Sequence, residues 1–294
     1  MNDQLNMPRT VLITGAAGGI GRAMVYALLE RGDRVVAVDH DAAAIGALGN
    51  DAPSSDRLFL VEADLSVAGG PEAAYVAAKE AAGSVDALVN NAGIGGSGFW
   101  ARLGKPRPLF WELDTEVWDQ YMRINSDAVF RLSRAAAPDL IASGRGRVVN
   151  VTTSLLSMLD KKFAPYGPSK AAAESLTAIM SADFEGTGVT ANVLVPGGPT
   201  DTGMVVGVAK EKLLPPTIMV PPLLWILSDE AAQTTGRRFL AHRWDVSKDP
   251  AEAARAASDP VAWLELAQRS GRVGNANELI YHHTEQQPAL DRNA

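Results

Sequence analysis

The chain has 294 residues, 47% hydrophobic and 21% charged, a balance that supports a sizeable core and excludes a disordered chain. Its formal net charge of −7 argues against a nucleic-acid or anionic-membrane binder. It contains no cysteine, which excludes disulfides, thiolate metal sites and a cysteine nucleophile.

Length alone sets a prior of about two domains, but the patterning from the N-terminus onward describes one. Residues 1–9 lack the apolar core of a signal peptide. A β-branched run at 11–14 leads into Thr14-Gly15-Ala-Ala-Gly-Gly19-Ile20-Gly21, and helical spacing follows over 19–31 with Gly32 as a C-cap. A turn without Cβ atoms lets backbone approach a pyrophosphate, and the N–H groups of a helix start complement its charge. Gly15, Gly19, Ile20 and Gly21 are therefore a predicted dinucleotide cradle. A second strand, 34–38, ends in Asp39, 18 residues beyond Gly21. That is close to the spacing of about 20 expected of a carboxylate on the adenosine ribose hydroxyls. A carboxylate there repels a 2′-phosphate and no cation lies within the glycine turn, so NAD is expected over NADP, although Arg22 sits just past it. The alternative role for Asp39 is to cap the following segment.

A third strand at 57–61 precedes Asp64-Leu65, a pair placed to meet an adenine edge, and a fourth at 87–89 precedes Asn90-Asn91-Ala92-Gly93. Ligands of open α/β sheets bind beyond the carboxyl ends of the strands; taken singly, each pair reads as a turn first. Residues 95–108, rich in Gly, Pro and Arg, form an irregular insertion, either a lid or a surface loop. Apolar residues recur at helical spacing over 72–82, 115–141 and 170–185. A fifth strand at 147–151 is followed by Thr152, Thr153 and Ser154. Tyr166-Gly-Pro-Ser-Lys170 then sets a tyrosine and a lysine on one helix face, with Pro168 in the first turn. An ammonium lowers a neighbouring phenol from its pKa of about 10, so Lys170 is expected to make Tyr166 a usable acid or base; the alternative is a plain helix-surface pair.

A sixth strand at 190–195 ends at Pro196-Gly197. Residues 203–222 read as a lid made apolar by Met204, Val205, Val206, Leu213 and Leu214. With Phe99 and Trp100 of the insertion they suggest a hydrophobic carbonyl or alcohol substrate, the alternative being packing alone. Pro221 and Pro222 interrupt the longest apolar run, 218–227, and no segment approaches the ~20 residues of a membrane span. A seventh strand is expected at 238–242, a helix over 249–269 and irregular chain over 271–294, where His282-His283 lacks a third ligand for a metal.

The joint set Thr14-Gly-x-x-x-Gly-Ile-Gly21, Asn90-Asn-Ala-Gly93, Asn125, the Ser/Thr cluster, Tyr166-x-x-x-Lys170 and Pro196-Gly197 has the order and spacing of a known family. Over residues 9–245 the sequence resembles the short-chain dehydrogenases/reductases. The resemblance implies a Rossmann-type α/β domain whose seven-stranded parallel sheet carries helices on both faces, and a homodimer or homotetramer. It implies an NAD(P)-dependent oxidoreductase of alcohols and carbonyls in which Tyr166 is the acid/base, Lys170 binds the nicotinamide ribose and Asn125 completes a proton relay. The hydroxyl that holds the substrate oxygen falls on Thr153, 13 residues before Tyr166, or on Ser154. Coenzyme contacts are implied for Gly15, Gly19, Ile20, Gly21, Asp39, Asp64, Leu65, Asn91, Ala92, Gly93, Tyr166, Lys170, Pro196, Gly197 and either Thr202 or Thr200. The sequence departs from the family at Arg238-Phe-Leu-Ala-His-Arg-Trp-Asp245, where many members have a short glycine-rich finish.

The resulting expectation is one doubly wound domain over 1–245, with an extension, 246–294, that packs on the domain or on a neighbouring subunit. Its function is expected to be cytoplasmic, NAD(H)-dependent interconversion of a secondary alcohol and a carbonyl on an apolar small molecule, without metal, nucleic acid or membrane. The rival readings are a nucleotide-binding redox sensor without turnover, which would need neither Asn125, Tyr166 nor Lys170, and an epimerase or dehydratase of the extended relatives, whose glycine spacing differs.

Overall fold

The computed structural model describes residues 7–270; the expectations for 271–294, His282 and His283 among them, lie outside the described residues. The first half alternates strand and helix: β1 (Thr10–Thr14), α1 (Gly19–Arg31), β2 (Arg34–Asp39), α2 (Ala42–Asn50), β3 (Leu58–Glu62), α3 (Gly70–Ala82) and β4 (Ala87–Asn90). After β4 come α4 (Gly96–Arg102), α5 (Thr115–Met122), a single π-helical turn at Arg123–Asp127, and α6 (Ala128–Ser143). The remainder is β5 (Arg147–Val151), α7 (Leu155–Leu159), α8 (Tyr166–Asp183), β6 (Thr190–Val195), α9 (Val220–Ile226), β7 (Arg237–Leu240), α10 (Pro250–Ala257), β8 (Ser258–Pro260) and α11 (Leu264–Ser270).

The strands form one sheet in the order β3-β2-β1-β4-β5-β6-β7-β8. Every pairing from β3 to β7 is parallel. Successive strand residues point to opposite faces, so each strand feeds two cores. Val11, Ile13, Val35, Ala37, Val89 and Val149 pack with Met24, Leu28 and Leu29 of α1 and Leu223 and Ile226 of α9. Leu12, Val36, Val38, Leu88 and Val148 pack on the other face against Ala74 and Ala78 of α3 and Leu132 and Ala136 of α6. Strands buried on both faces are the reason the runs read as continuously apolar instead of alternating.

Three expectations are corrected. The sheet has eight strands, because β8 adds an antiparallel edge in which Arg237, Arg238 and Phe239 face Pro260, Asp259 and Ser258. A proline is tolerated there because an edge strand has a neighbour on one side only. Residues 249–269 are accordingly not one helix: Asp249 caps α10 through the backbone N–H groups of Ala251 and Glu252 with Pro250 at its start, and α10 runs straight into β8. One compact unit runs on to Ala262, taking in α10 and β8 of the expected extension, and the short helix α11 falls in a second unit. The insertion 95–108 is not irregular throughout, since it contains α4. The helix α2, with Asp41 accepting from Ala44 N–H as its N-cap, has no counterpart among the sequence expectations. Among the described residues no helix is long and apolar enough to cross a membrane.

Candidate active site

The carboxyl ends of β1, β4, β5 and β6 converge on one rim, and the candidate residues line it. At the end of β1 the Thr14 hydroxyl accepts from the backbone N–H groups of Asn91 (3.1 Å) and Ala92 (3.0 Å). The Asn91 carboxamide returns two bonds, to the carbonyls of Thr14 (3.0 Å) and Gly15 (3.1 Å). These bonds seat the glycine turn against β4. Gly15 adopts φ +62°, and a Cβ at Gly21 would stand 2.1 Å from the Gly15 carbonyl oxygen. Both glycines are thus required by backbone meeting backbone. The first turn of α1 has Gly18 as its N-cap, with no side-chain cap and no acidic residue, so its positive end faces outward uncompensated.

Asp39 is nearly buried, and its carboxylate accepts from Ala17 N–H (3.0 Å) in the glycine turn and from His40 N–H (2.8 Å). It is not the cap of the following helix, since Asp41 holds that place. Arg22, the cation nearest the turn in sequence, pairs with Asp51 at 3.3 Å. Asp64 is exposed and accepts from both the backbone N–H and the hydroxyl of Ser66, bonds that hold it below the ordinary carboxylate pKa. Leu65 packs half-buried against the second core.

The reacting groups gather where β4 and β5 end. Tyr166 opens α8, and the Thr153 side chain is close enough to act on its phenol. Burial pushes the phenol above its ordinary pKa, while the Thr153 side chain and the positive charge of Arg107 pull it back. The expectation assigned such a pull to Lys170; Arg107 is a further cation acting in the same sense. Ser154, the alternative to Thr153, is occupied as the N-cap of α7, accepting from Ser157 N–H at 3.1 Å.

Lys170, one turn along α8, is 4% exposed and donates to the Val151 carbonyl at 2.9 Å; burial lowers its pKa to about 8. Asn125 lies in the π-helical turn, and its carboxamide clamps Ile94 by accepting from its N–H (2.9 Å) and donating to its carbonyl (3.0 Å). A π-turn inserted into a helix is a frequent mark of a functional position. Gly93 explains why these groups can meet: a Cβ there would lie 3.0 Å from Asn125 Oδ1 and 3.1 Å from Lys170 Nζ. A Cβ on Gly95 would strike the Tyr166 ring at 2.4 Å.

Beyond β6, Gly197 adopts φ +93° with His242 packed where a Cβ would be, and His242 N–H donates to the Pro196 carbonyl. Thr202 stands against the cradle, its methyl 3.1 Å from where Gly19 would carry a Cβ; Thr200 turns its hydroxyl to the Gly198 carbonyl instead. The lid segment is joined to the insertion: Gly98 N–H donates to the Met204 carbonyl (3.0 Å), and the Ser97 hydroxyl bonds both the carbonyl and the N–H of Val206. Phe99 and Trp100 are mostly buried in a small aromatic core with Tyr121, so the apolar insertion is largely packing, although Trp100 also lines the cleft beside Tyr166.

Sequence reasoning missed a buried ion pair behind Thr153. Arg238 meets Glu174 at 2.6 Å, both almost fully buried, and Arg238 also donates to the carbonyl of Thr153. Glu174 accepts from the Thr152 hydroxyl (2.6 Å) and from Ala262 N–H (3.1 Å). The departure from the family at Arg238 is its visible sign in the sequence. Among the described residues no group of three or more His, Asp or Glu side chains is placed to hold a metal.

The short chain dehydrogenase family model matches residues 9–213. A short-chain type dehydrogenase/reductase of Picea abies is 32% identical over 204 residues, covering 67% of this chain and 72% of that one. A 2-(R)-hydroxypropyl-CoM dehydrogenase of Xanthobacter autotrophicus is 32% identical over 193 residues, covering 65% and 74%. The solved structure of a 3-ketoacyl-(acyl-carrier-protein) reductase from Brucella melitensis complexed with NADH superposes with a TM-score of 0.67 at 25% identity, covering 77% and 93%.

Proposed function

Because the chain belongs to the short-chain dehydrogenase family, we propose that it is an NAD(H)-dependent oxidoreductase interconverting a secondary alcohol and a carbonyl compound, with Tyr166 as the acid/base. The observation that carries this reading is the meeting of Tyr166 with Thr153, while Lys170 and Asn125 close on Gly93 at the same rim. A redox sensor would need no such convergence.

The residues present fit a nicotinamide dinucleotide. The glycine turn leaves backbone where a Cβ cannot stand, and the uncapped start of α1 offers N–H groups to a pyrophosphate. Asp39 faces the turn and Arg22 is held by Asp51, an arrangement that favours ribose hydroxyls over a 2′-phosphate. Gly15, Gly19, Ile20, Gly21, Asn91, Ala92, Gly93, Pro196, Gly197 and Thr202 would complete the cradle. Both Ser66 bonds end on Asp64 Oδ1, which leaves Oδ2 for the amino group of an adenine beside Leu65.

When bound, the coenzyme supplies or takes up the hydride. In reduction, the Thr153 hydroxyl donates to the carbonyl oxygen as charge develops on it. Tyr166, a phenol and so protonated at neutral pH, delivers its proton to the same oxygen. In oxidation the proton returns to Tyr166. Lys170, with a pKa of about 8, is charged for the most part at pH 7 and would hold the nicotinamide ribose. A homo-oligomeric, cytoplasmic enzyme is the form this reading takes, on family likeness. The test is Tyr166→Phe: NADH oxidation over a panel of ketones and aldehydes is expected to fall at least ~10³-fold, with NADH affinity unchanged and NADPH bound more weakly than NADH. Retention of most activity, or no turnover by the unmodified enzyme on any carbonyl, sinks the reading.

A further inference from the structure

One arginine differs from the rest. Every other buried or half-buried arginine donates to a protein oxygen: Arg9, Arg22, Arg31 and Arg238 to carboxylates, and Arg34, Arg57, Arg145, Arg147 and Arg237 to carbonyls or hydroxyls. Arg107, half-buried in the insertion, donates to none among the described residues. Its guanidinium lies over the Phe163 ring, 4.5 Å from the centroid. Stacking on an aromatic face orients the planar fork without using its N–H groups.

The acids nearest in sequence are engaged elsewhere. Glu112 accepts from Leu109 N–H, Asp114 faces Lys105, and Asp160 accepts from Lys161 N–H. Arg107 is thus left with donors and no acceptor.

What it faces is the cleft of Tyr166. Gly96, Trp100, Arg107, Tyr121, Lys162 and Phe163 line that cleft with the residues leading into Tyr166, and no acidic side chain is among them. Two of the lining side chains are cations. A second, independent sign comes from Tyr121, fully buried, whose hydroxyl has no hydrogen-bond partner. A buried orphan donor is costly and calls for an explanation. Its ring meets the Tyr166 ring edge-on at 6.5 Å, and Tyr121 is itself among the residues that line the cleft.

We propose that Arg107, together with Tyr121 and Lys162, forms a subsite for an oxyanion carried by the substrate, so that the enzyme acts on hydroxy or oxo compounds bearing a carboxylate, sulfonate or phosphate. Arg107 makes the bidentate contact that such planar or trigonal anions accept. Tyr121 donates its hydroxyl, and Lys162 adds charge at the mouth. The carbon frame between the two ends lies against Trp100, Phe163 and the Tyr121 ring. This replaces a wholly apolar substrate with one that is apolar in its middle and anionic at its far end. The proposal rests on Tyr166 marking the reacting end of the cleft.

The experiment is a binding titration by calorimetry on the NADH-saturated protein, which needs no turnover. The probes are benzoate, benzenesulfonate and phenyl phosphate, with benzamide as the neutral control, against the unmodified protein, Arg107→Gln and Tyr121→Phe. At least one anion is expected to bind at least tenfold more tightly than benzamide, and the best of the three identifies the anion class. Arg107→Gln should lose at least tenfold of that affinity and Tyr121→Phe a smaller part, with NADH affinity and melting temperature retained in both. Anions binding no better than benzamide, or equally well to Arg107→Gln, overturn the subsite. Anion binding together with absent carbonyl turnover leaves the subsite standing and removes the oxidoreductase reading, so the two fail separately.

Discussion

The coenzyme side and the substrate side of the rim are built on different terms. On the coenzyme side, backbone meets backbone: Gly21 against Gly15, Thr14 and Asn91 lacing β1 to β4, Asp39 bonded into the turn. The polar side chains named there have partners within the fold, and what stays open is backbone N–H at the start of α1. On the substrate side an arginine is uncommitted and a buried phenol has no partner. The first side is shaped for a ligand common to a family and can be finished in advance. The second leaves donors open because the ligand itself must close them. The difference locates specificity in the insertion and in the segment before Tyr166.

The buried Arg238–Glu174 pair offers the hardest test of that division, because it lies under the substrate side and holds Thr153 through its carbonyl. Glu174→Ala would leave a buried guanidinium uncompensated and free the Thr152 hydroxyl and Ala262 N–H. The expected loss is about 3–5 kcal/mol, read by urea unfolding. In whatever fraction stays folded, carbonyl turnover should fall while NADH affinity holds. Equal losses in both would mean that the two sides are one unit.

A matched pair of glycines sharpens the comparison at a smaller scale. A Cβ at Gly21 would stand 2.1 Å from the Gly15 carbonyl oxygen, and one at Gly98 would stand 2.2 Å from that of Gly203. The clashes are nearly equal, but the surroundings are not. Gly15 sits in a laced turn that cannot yield, whereas Gly203 is exposed in an irregular segment. Gly21→Ala is expected to cost about 2–3 kcal/mol of stability and at least ~10²-fold in NADH affinity. Gly98→Ala should leave NADH affinity within about twofold and raise KM for the carbonyl substrate. Fluorescence titration with NADH and initial-rate kinetics read both, and a large NADH loss in Gly98→Ala breaks the distinction.

The same division governs what was legible in the sequence. The parallel sheet, the glycine turn, Asp39 and the Tyr166/Lys170 helix were readable because each depends on local spacing and on apolar runs buried on two faces. The eighth strand was not, because β8 has three residues and borrows its register from β7. The spacing to Tyr166 put Thr153 first and left Ser154 as the alternative, and only the fold places the Ser154 hydroxyl at the cap of α7. Arg107 was visible as one cation in an insertion, but its freedom is a negative fact about Glu112, Asp114 and Asp160. It required every competing bond to be placed. The Arg238–Glu174 pair spans 64 positions, and only the departure at Arg238 hinted at it.

The smallest effect concerns the joint between insertion and lid. The Ser97 hydroxyl donates to the Val206 carbonyl at 2.8 Å and accepts from its N–H at 2.9 Å, so one side chain satisfies both backbone groups of a residue 109 positions away. These bonds are exposed and water can replace them, which limits their net worth to about 1 kcal/mol. Ser97→Ala is therefore expected to leave unfolding free energy within about 1 kcal/mol of the parent. Since the joint ties residues 203–206 to the helix that carries Trp100, its loss should act on how long the substrate cleft stays closed. A rise of roughly three- to fivefold in KM with kcat nearly unchanged is the signature of weakened uniform binding. A fall in kcat with KM unchanged would instead place Ser97 in the transition-state geometry, and the insertion would then belong with the reacting groups and not with specificity.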